Sequence, residues 1–151
     1  MAVLKLDGAN GVIAYPKKIV TALANGAIAV GNVVKIETAV GQVPDPATYG
    51  AAGFIVLVTA ENNSPLACGV AVTAAADGEE VQIQISGFNS TCTPISEAIA
   101  IGETVGSAAS GEIRQGDTHS NTAQPFAVCV NDFTSATADG ALLIIDKGWF
   151  G

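Results

Sequence analysis

The side chains with the strongest intrinsic chemistry in this sequence are one histidine, three cysteines and a thin set of carboxylates. His119 is the sole histidine, so any Ser-His-Asp relay would have to run through it. Asp117 and Ser120 lie beside it, but such close sequence neighbours do not face one another as a relay, and no G-x-S-x-G elbow is present. A polar loop over residues 111–125 is the simpler reading. Cys68, Cys92 and Cys129 are odd in number, lack C-x-x-C spacing and have a single histidine to join them, which argues against a zinc site. Cys68 and Cys129 fall in comparable apolar segments, where a cysteine acts as a small hydrophobe. Asp45 and the pair Glu79-Glu80 carry no sign of the buried, shifted partner that general-acid work requires. The 17 glycines form neither G-x-x-x-x-G-K-[ST] nor a strand-borne G-x-G-x-x-G. No catalytic, cofactor-binding or metal-binding residue is assigned.

The elements that would have to position any site are short strands. Apolar runs are β-branched and bounded by Gly, Asn or Pro, the pattern of an all-β fold, or a mainly β fold with one short helix. Residues 80–86 alternate, with Val81, Ile83 and Ile85 on one face and Gln82 and Gln84 on the other. Ala76-Asp77-Gly78 before them supplies the left-handed position of a hairpin. A degenerate internal repeat runs through the chain. Residues 27–34 (AIAVGNVV) return as 98–105 (AIAIGETV), and the hairpin at Ala76-Asp77-Gly78 returns at Ala138-Asp139-Gly140. The repeat units cover about residues 27–88 and 98–146, and two copies of one β unit suit a compact β-barrel or tulip-like scaffold. Residues 142–145 (LLII) are apolar on both faces, so they are expected to be covered twice, by the core and by something else. Residues 16–25 read either as a helix or as a strand turning at Asn25-Gly26, and the strand is favoured. A helix over residues 95–101 is a second candidate. Residues 41–53, with Pro44 and Pro46, read as a loop.

At 151 residues the chain is one domain, long enough to bury roughly 70% of its unfolded surface. It is 49% hydrophobic and 13% charged, too few charges to cover a surface in the ordinary way, so part of that surface is expected to meet protein. A net charge of −8 argues against a nucleic-acid partner, with Lys17-Lys18 the one basic pair. No unbroken apolar run suits a membrane span, and the first eight residues lack a signal core, so synthesis in a cytoplasm is expected.

The segments CGVAVTAAADGEEVQI (68–83) and AIGETVGSAASGEI (100–113) resemble the small capsid decoration, or cement, proteins of tailed bacteriophages. The resemblance covers roughly residues 27–146. It implies a compact β protein on the outer surface of an icosahedral head in the virion, bound to the major capsid protein as a homotrimer, reinforcing the shell without enzymatic activity. Another phage β module, such as a tail or receptor-binding domain, is the alternative. A small enzyme using Asp117, His119 or a cysteine is the reading from a different class.

Two terminal segments are candidate contact sites. Residues 1–11 form an N-terminal arm ahead of a single β domain at 12–151. Val3, Leu4 and Leu6 could add a strand to a sheet edge on the shell, or form the first strand of the chain's own sheet. Trp149 and Phe150 are the only aromatic cluster, suited equally to closing the barrel and to an intersubunit contact.

Overall fold

A computed structural model describes residues 16–36, 54–57, 64–116, 125–135 and 137–148; for Phe54–Leu57 it describes the backbone alone. The described residues contain nine strands: β1 (Lys18–Asn25), β2 (Val33–Ile36), β3 (Phe54–Leu57), β4 (Ala67–Ala71), β5 (Glu80–Asn89), β6 (Thr104–Ser107), β7 (Ile113–Gln115), β8 (Ala127–Asn131) and β9 (Ala141–Ile144). The one helical element among them is a 3-10 turn at Ala109–Gly111, which joins β6 to β7. The fold is therefore nearly all β.

Strand β5 is ten residues long and serves two sheets. Its first part closes a five-stranded ring in the order β1-β3-β2-β4-β5, with β5 returning to β1 through pairs such as Thr21↔Gln82. Every pairing in that ring is antiparallel except β1 with β3. The last part of β5 pairs with β9 from Gly87↔Ile144 to Asn89↔Leu142, and the sheet continues through β8, β6 and β7. The change of partner happens at Gly87, whose φ of +91° suits glycine alone, and where a Cβ would lie 2.9 Å from the Lys17 Cα.

This bend accounts for one departure from the expected alternation. Gln82 is exposed as the alternation requires, but Gln84 is fully buried. Its Nε2 donates to the Ser86 and Phe88 carbonyls at 3.1 and 2.8 Å, and its Oε1 accepts from Asn89 Nδ2 at 3.1 Å. The buried amide of Gln84 is thus satisfied at both ends by groups on either side of the bend, as burial demands.

Two apolar cores result. Ala22, Ala24, Val34, Cys68, Ala71, Val81, Ile83 and Ile85 are among those that fill the ring. Val33 and Val70, from the other face of the same ring wall, pack with Ile99, Val105, Phe126, Phe133, Leu142 and Ile144 of the second half. Strand β4 is consequently buried at all five residues. Both of its faces are covered within the chain. In β9, Leu142 and Ile144 are covered while Leu143 is half-buried and Ile145 beyond it is 50% exposed.

The internal repeat recurs as matching hydrogen bonds. Ile28 bridges Ala75 as Ile99 bridges Phe133, and Gly31 donates to the Ala71 carbonyl as Gly102 donates to that of Cys129. The first elements are thus offset by 71 residues, while β4 and β8 are offset by 58, two fewer than an Ala67-to-Ala127 match gives. A shift of two keeps each side chain on its face. Turns of the form Ala-x-Gly-Asn/Glu close in one way at Ala29, Ala76 and Ala100. The fourth residue's side chain accepts from the first residue's N–H at 2.8, 2.9 and 2.7 Å.

Four local expectations change, the first being the loop expected over residues 111–125, within which Ile113–Gln115 pair with β6 as strand β7. Ala138-Asp139-Gly140 does not repeat the left-handed hairpin: Gly140 is not among the positive-φ glycines, and Ala141 follows it where the other turns carry a polar side chain. A Cβ at Gly140 would meet the Phe133 ring at 2.6 Å, so this glycine is needed for space. Residues 95–101 are not helical, because the backbone there spends its groups on the Ile113 and Phe133 chains. Residues 18–25 are a strand, but β1 pairs with β3 and β5 rather than with the segment following Asn25-Gly26.

Candidate functional site

The thiols are fixed by the cores. Cys68 and Cys92 are buried, and burial pushes both up to about 12. Cys129 is raised as well, first by burial, and its Sγ donates to the Asn131 carbonyl at 3.1 Å. Thiols held neutral are poor nucleophiles and poor ligands. Among the described residues no three His, Cys, Asp or Glu side chains gather as a metal site would need, and no helix is long and apolar enough to cross a membrane. Asp117, His119, Ser120, Asp45, Val3, Leu4, Leu6, Trp149 and Phe150 lie outside the described residues.

The surface offers a groove instead. Where β5 passes from β1 to β9, a groove of about 560 Å³ is lined by Pro16, Lys17, Lys18, Ser86, Gly87 and residues 143–146. Its floor is apolar because the outward face of β9, Leu143 and Ile145, is uncovered there. Its rim is held by polar contacts. Lys18 Nζ meets Asp146 Oδ2 at 3.3 Å, Ser86 Oγ donates to the Pro16 carbonyl at 3.0 Å, and the Gly148 N–H donates to Asp146 Oδ1 at 2.8 Å. The Gly148 bond first, and Lys18 after it, hold the Asp146 carboxyl below its ordinary range. Lys147, beside it, donates to the Pro65 carbonyl at 3.1 Å, and partial burial lowers its ammonium.

A second feature is a pair of apolar turn tips. Val30 and Ile101 hold the same position in the two repeats and are 52% and 62% exposed. Each precedes a glycine of φ +86° or +88°, as a type II turn requires. The Ile101 tip is further fixed by its own N–H, which donates to Asp132 Oδ1 at 2.7 Å. Glu103 Oε1 accepts from Gln115 Nε2, also at 2.7 Å, so two carboxylates stand beside this apolar tip. Neither groove nor tip was singled out from sequence. The signals were present in the doubly apolar run 142–145 and in the hydrophobe ahead of a turn glycine.

No protein-family model matches the chain, and no curated protein matches it in sequence. Among solved structures it is similar to the head fibre gp8.5 N base of bacteriophage phi29, with a TM-score of 0.55 and 16% identity over 86% of this chain and 95% of that one. The two share a fold. The likeness covers nearly the whole of the base, so it concerns the architecture and not a local motif.

Proposed function

We propose that this chain is a structural protein of a bacteriophage particle, a decoration protein that binds the outer surface of the head and reinforces it. The observation that carries the reading is the shared fold with a head fibre base, over 95% of that base. The chemistry of the chain supports it: the described thiols are buried and neutral, while apolar side chains at Ile19, Val30, Ile101 and Ile145 stand exposed. Exposed aliphatics on a chain with only 13% charged residues suit a protein whose working state is an assembly.

In this reading the partners are the major capsid protein and other copies of the chain, as a homotrimer. Residues 1–8, with Val3, Leu4 and Leu6, reach the shell as an extended arm, and Trp149 and Phe150 contribute to contacts between subunits. Binding to the mature shell but not to its dissociated subunits stabilises the shell by mass action, and several contacts per trimer act in parallel. The test is co-sedimentation of purified protein with heads that lack it. Saturable binding to heads is expected, with loss of binding after removal of residues 1–8 from a protein that stays folded. Binding to tails and not heads would move the protein to the alternative location.

A further inference from the structure

The Ile101 tip and the β9 groove sit at opposite ends of one hairpin. Asp132, which holds the tip, follows Asn131, the partner of Ala141 at the start of β9. The groove is built on residues 143–146 at the other end. At ~3.4 Å per residue, the four steps from Ala141 to Ile145 separate the two ends by about 14 Å. Both lie on one rigid ladder, so a molecule cannot place its own tip in its own groove.

We propose that Ile101 of one copy enters the groove of a second copy, packing on Pro16, Leu143 and Ile145. Charge selects this occupant. On a chain of net charge −8, the groove rim carries the only adjacent basic pair, Lys17-Lys18, with Lys147 close by. Lys18 is matched internally by Asp146, whereas Lys17 is exposed at the rim. The arriving tip brings Asp132 and Glu103 towards it. Val30, the equivalent tip, carries Asn32 in place of Glu103, and its turn is packed on the Thr91 backbone, where a Cβ at Gly31 would strike the carbonyl oxygen. Ile101 is therefore the tip that docks. Tip into groove is a head-to-tail contact between different surfaces, and it becomes a finite assembly when the rotation closes a ring. This contact supplies the self-association included in the proposed function but rests on the groove and tip alone.

The experiment is light scattering on size-separated protein. The wild type and Val30→Asp are expected to form a closed oligomer, while Ile101→Asp and Ile145→Asp are each expected to be monomeric. Ile101→Asp keeps an intact groove and Ile145→Asp an intact tip, so mixing them is expected to give a one-to-one dimer, which also shows that both variants are folded. A wild-type monomer, an unchanged oligomer in Ile101→Asp, or a mixture that stays monomeric overturns the contact. Head binding is read separately: a wild-type monomer that still coats heads removes this contact and leaves the decoration role in place.

Discussion

At the scale of single residues, the two repeats offer an internal control. Gly31 and Gly102 hold equivalent turns with φ of +86° and +88°, so alanine costs each of them the same left-handed strain, about 1–2 kcal/mol. They differ in surroundings. A Cβ at Gly102 would meet nothing within 4 Å, whereas one at Gly31 would strike the Thr91 carbonyl. Gly31→Ala is therefore expected to destabilise by about 1–3 kcal/mol more than Gly102→Ala, the usual cost of overpacking, as read by denaturant titration. Equal losses would mean that the Thr91 approach is not tight. The thiols make a pH prediction. Cys68 and Cys92 are raised in the folded state from 9.0 to about 12, so the stability tied to their neutral form is fully present below pH 9 and lost as pH rises towards 12. Unfolding midpoints measured across that window should fall more steeply for the wild type than for Cys92→Ala, and native protein at pH 8 should resist thiol reagents that label all three cysteines once it is unfolded.

At the scale of elements, β5 organises the molecule, and Gln84 is what makes its bend tolerable. Gln84→Leu keeps the size of the side chain but removes the amide's bonds to the Ser86 and Phe88 carbonyls and to the Asn89 amide, and losing the partner of one buried polar group alone costs about 1–3 kcal/mol. The exposed neighbour is the control: Gln82→Leu should stay within about 0.5 kcal/mol of wild type. Similar effects from the two would show that the bend does not depend on the amide. Gln84 also marks the limit of what was legible in sequence. Local signals carried far: the alternation of Val81, Ile83 and Ile85 gave a strand face, and Asp77-Gly78 gave its turn. Gln84 read as a solvent residue because its burial depends on β5 changing sheets at Gly87, and neither neighbour announces a change of partner. Likewise β1 was recognisable as a strand, but its partners lie up to 68 residues away in pairs such as Lys18↔Ser86, beyond any local pattern. The groove was half legible. Residues 142–145 showed that β9 had a second apolar face, while the place where that face meets Pro16 and Lys17 required the sheet order.

At the scale of the whole molecule, a ring and a second sheet share one wall, so the chain has two cores and a surface with few charges. A scaffold of this kind is suited to bearing contacts on several faces. If it reinforces a shell, heads lacking it should release their DNA at a lower temperature or under milder osmotic shock than decorated heads, and adding purified protein back should restore the difference; identical release by bare and decorated heads would remove the reinforcing role. The most direct measurement is a pair of electron cryomicroscopy reconstructions of particles made with and without this chain. The account predicts density for a 15.1 kDa β domain on the outside of the head, clustered about the three-fold positions, and absent from the deficient particles while the underlying shell is unchanged. Two identical head reconstructions, or a difference confined to the tail, would contradict it.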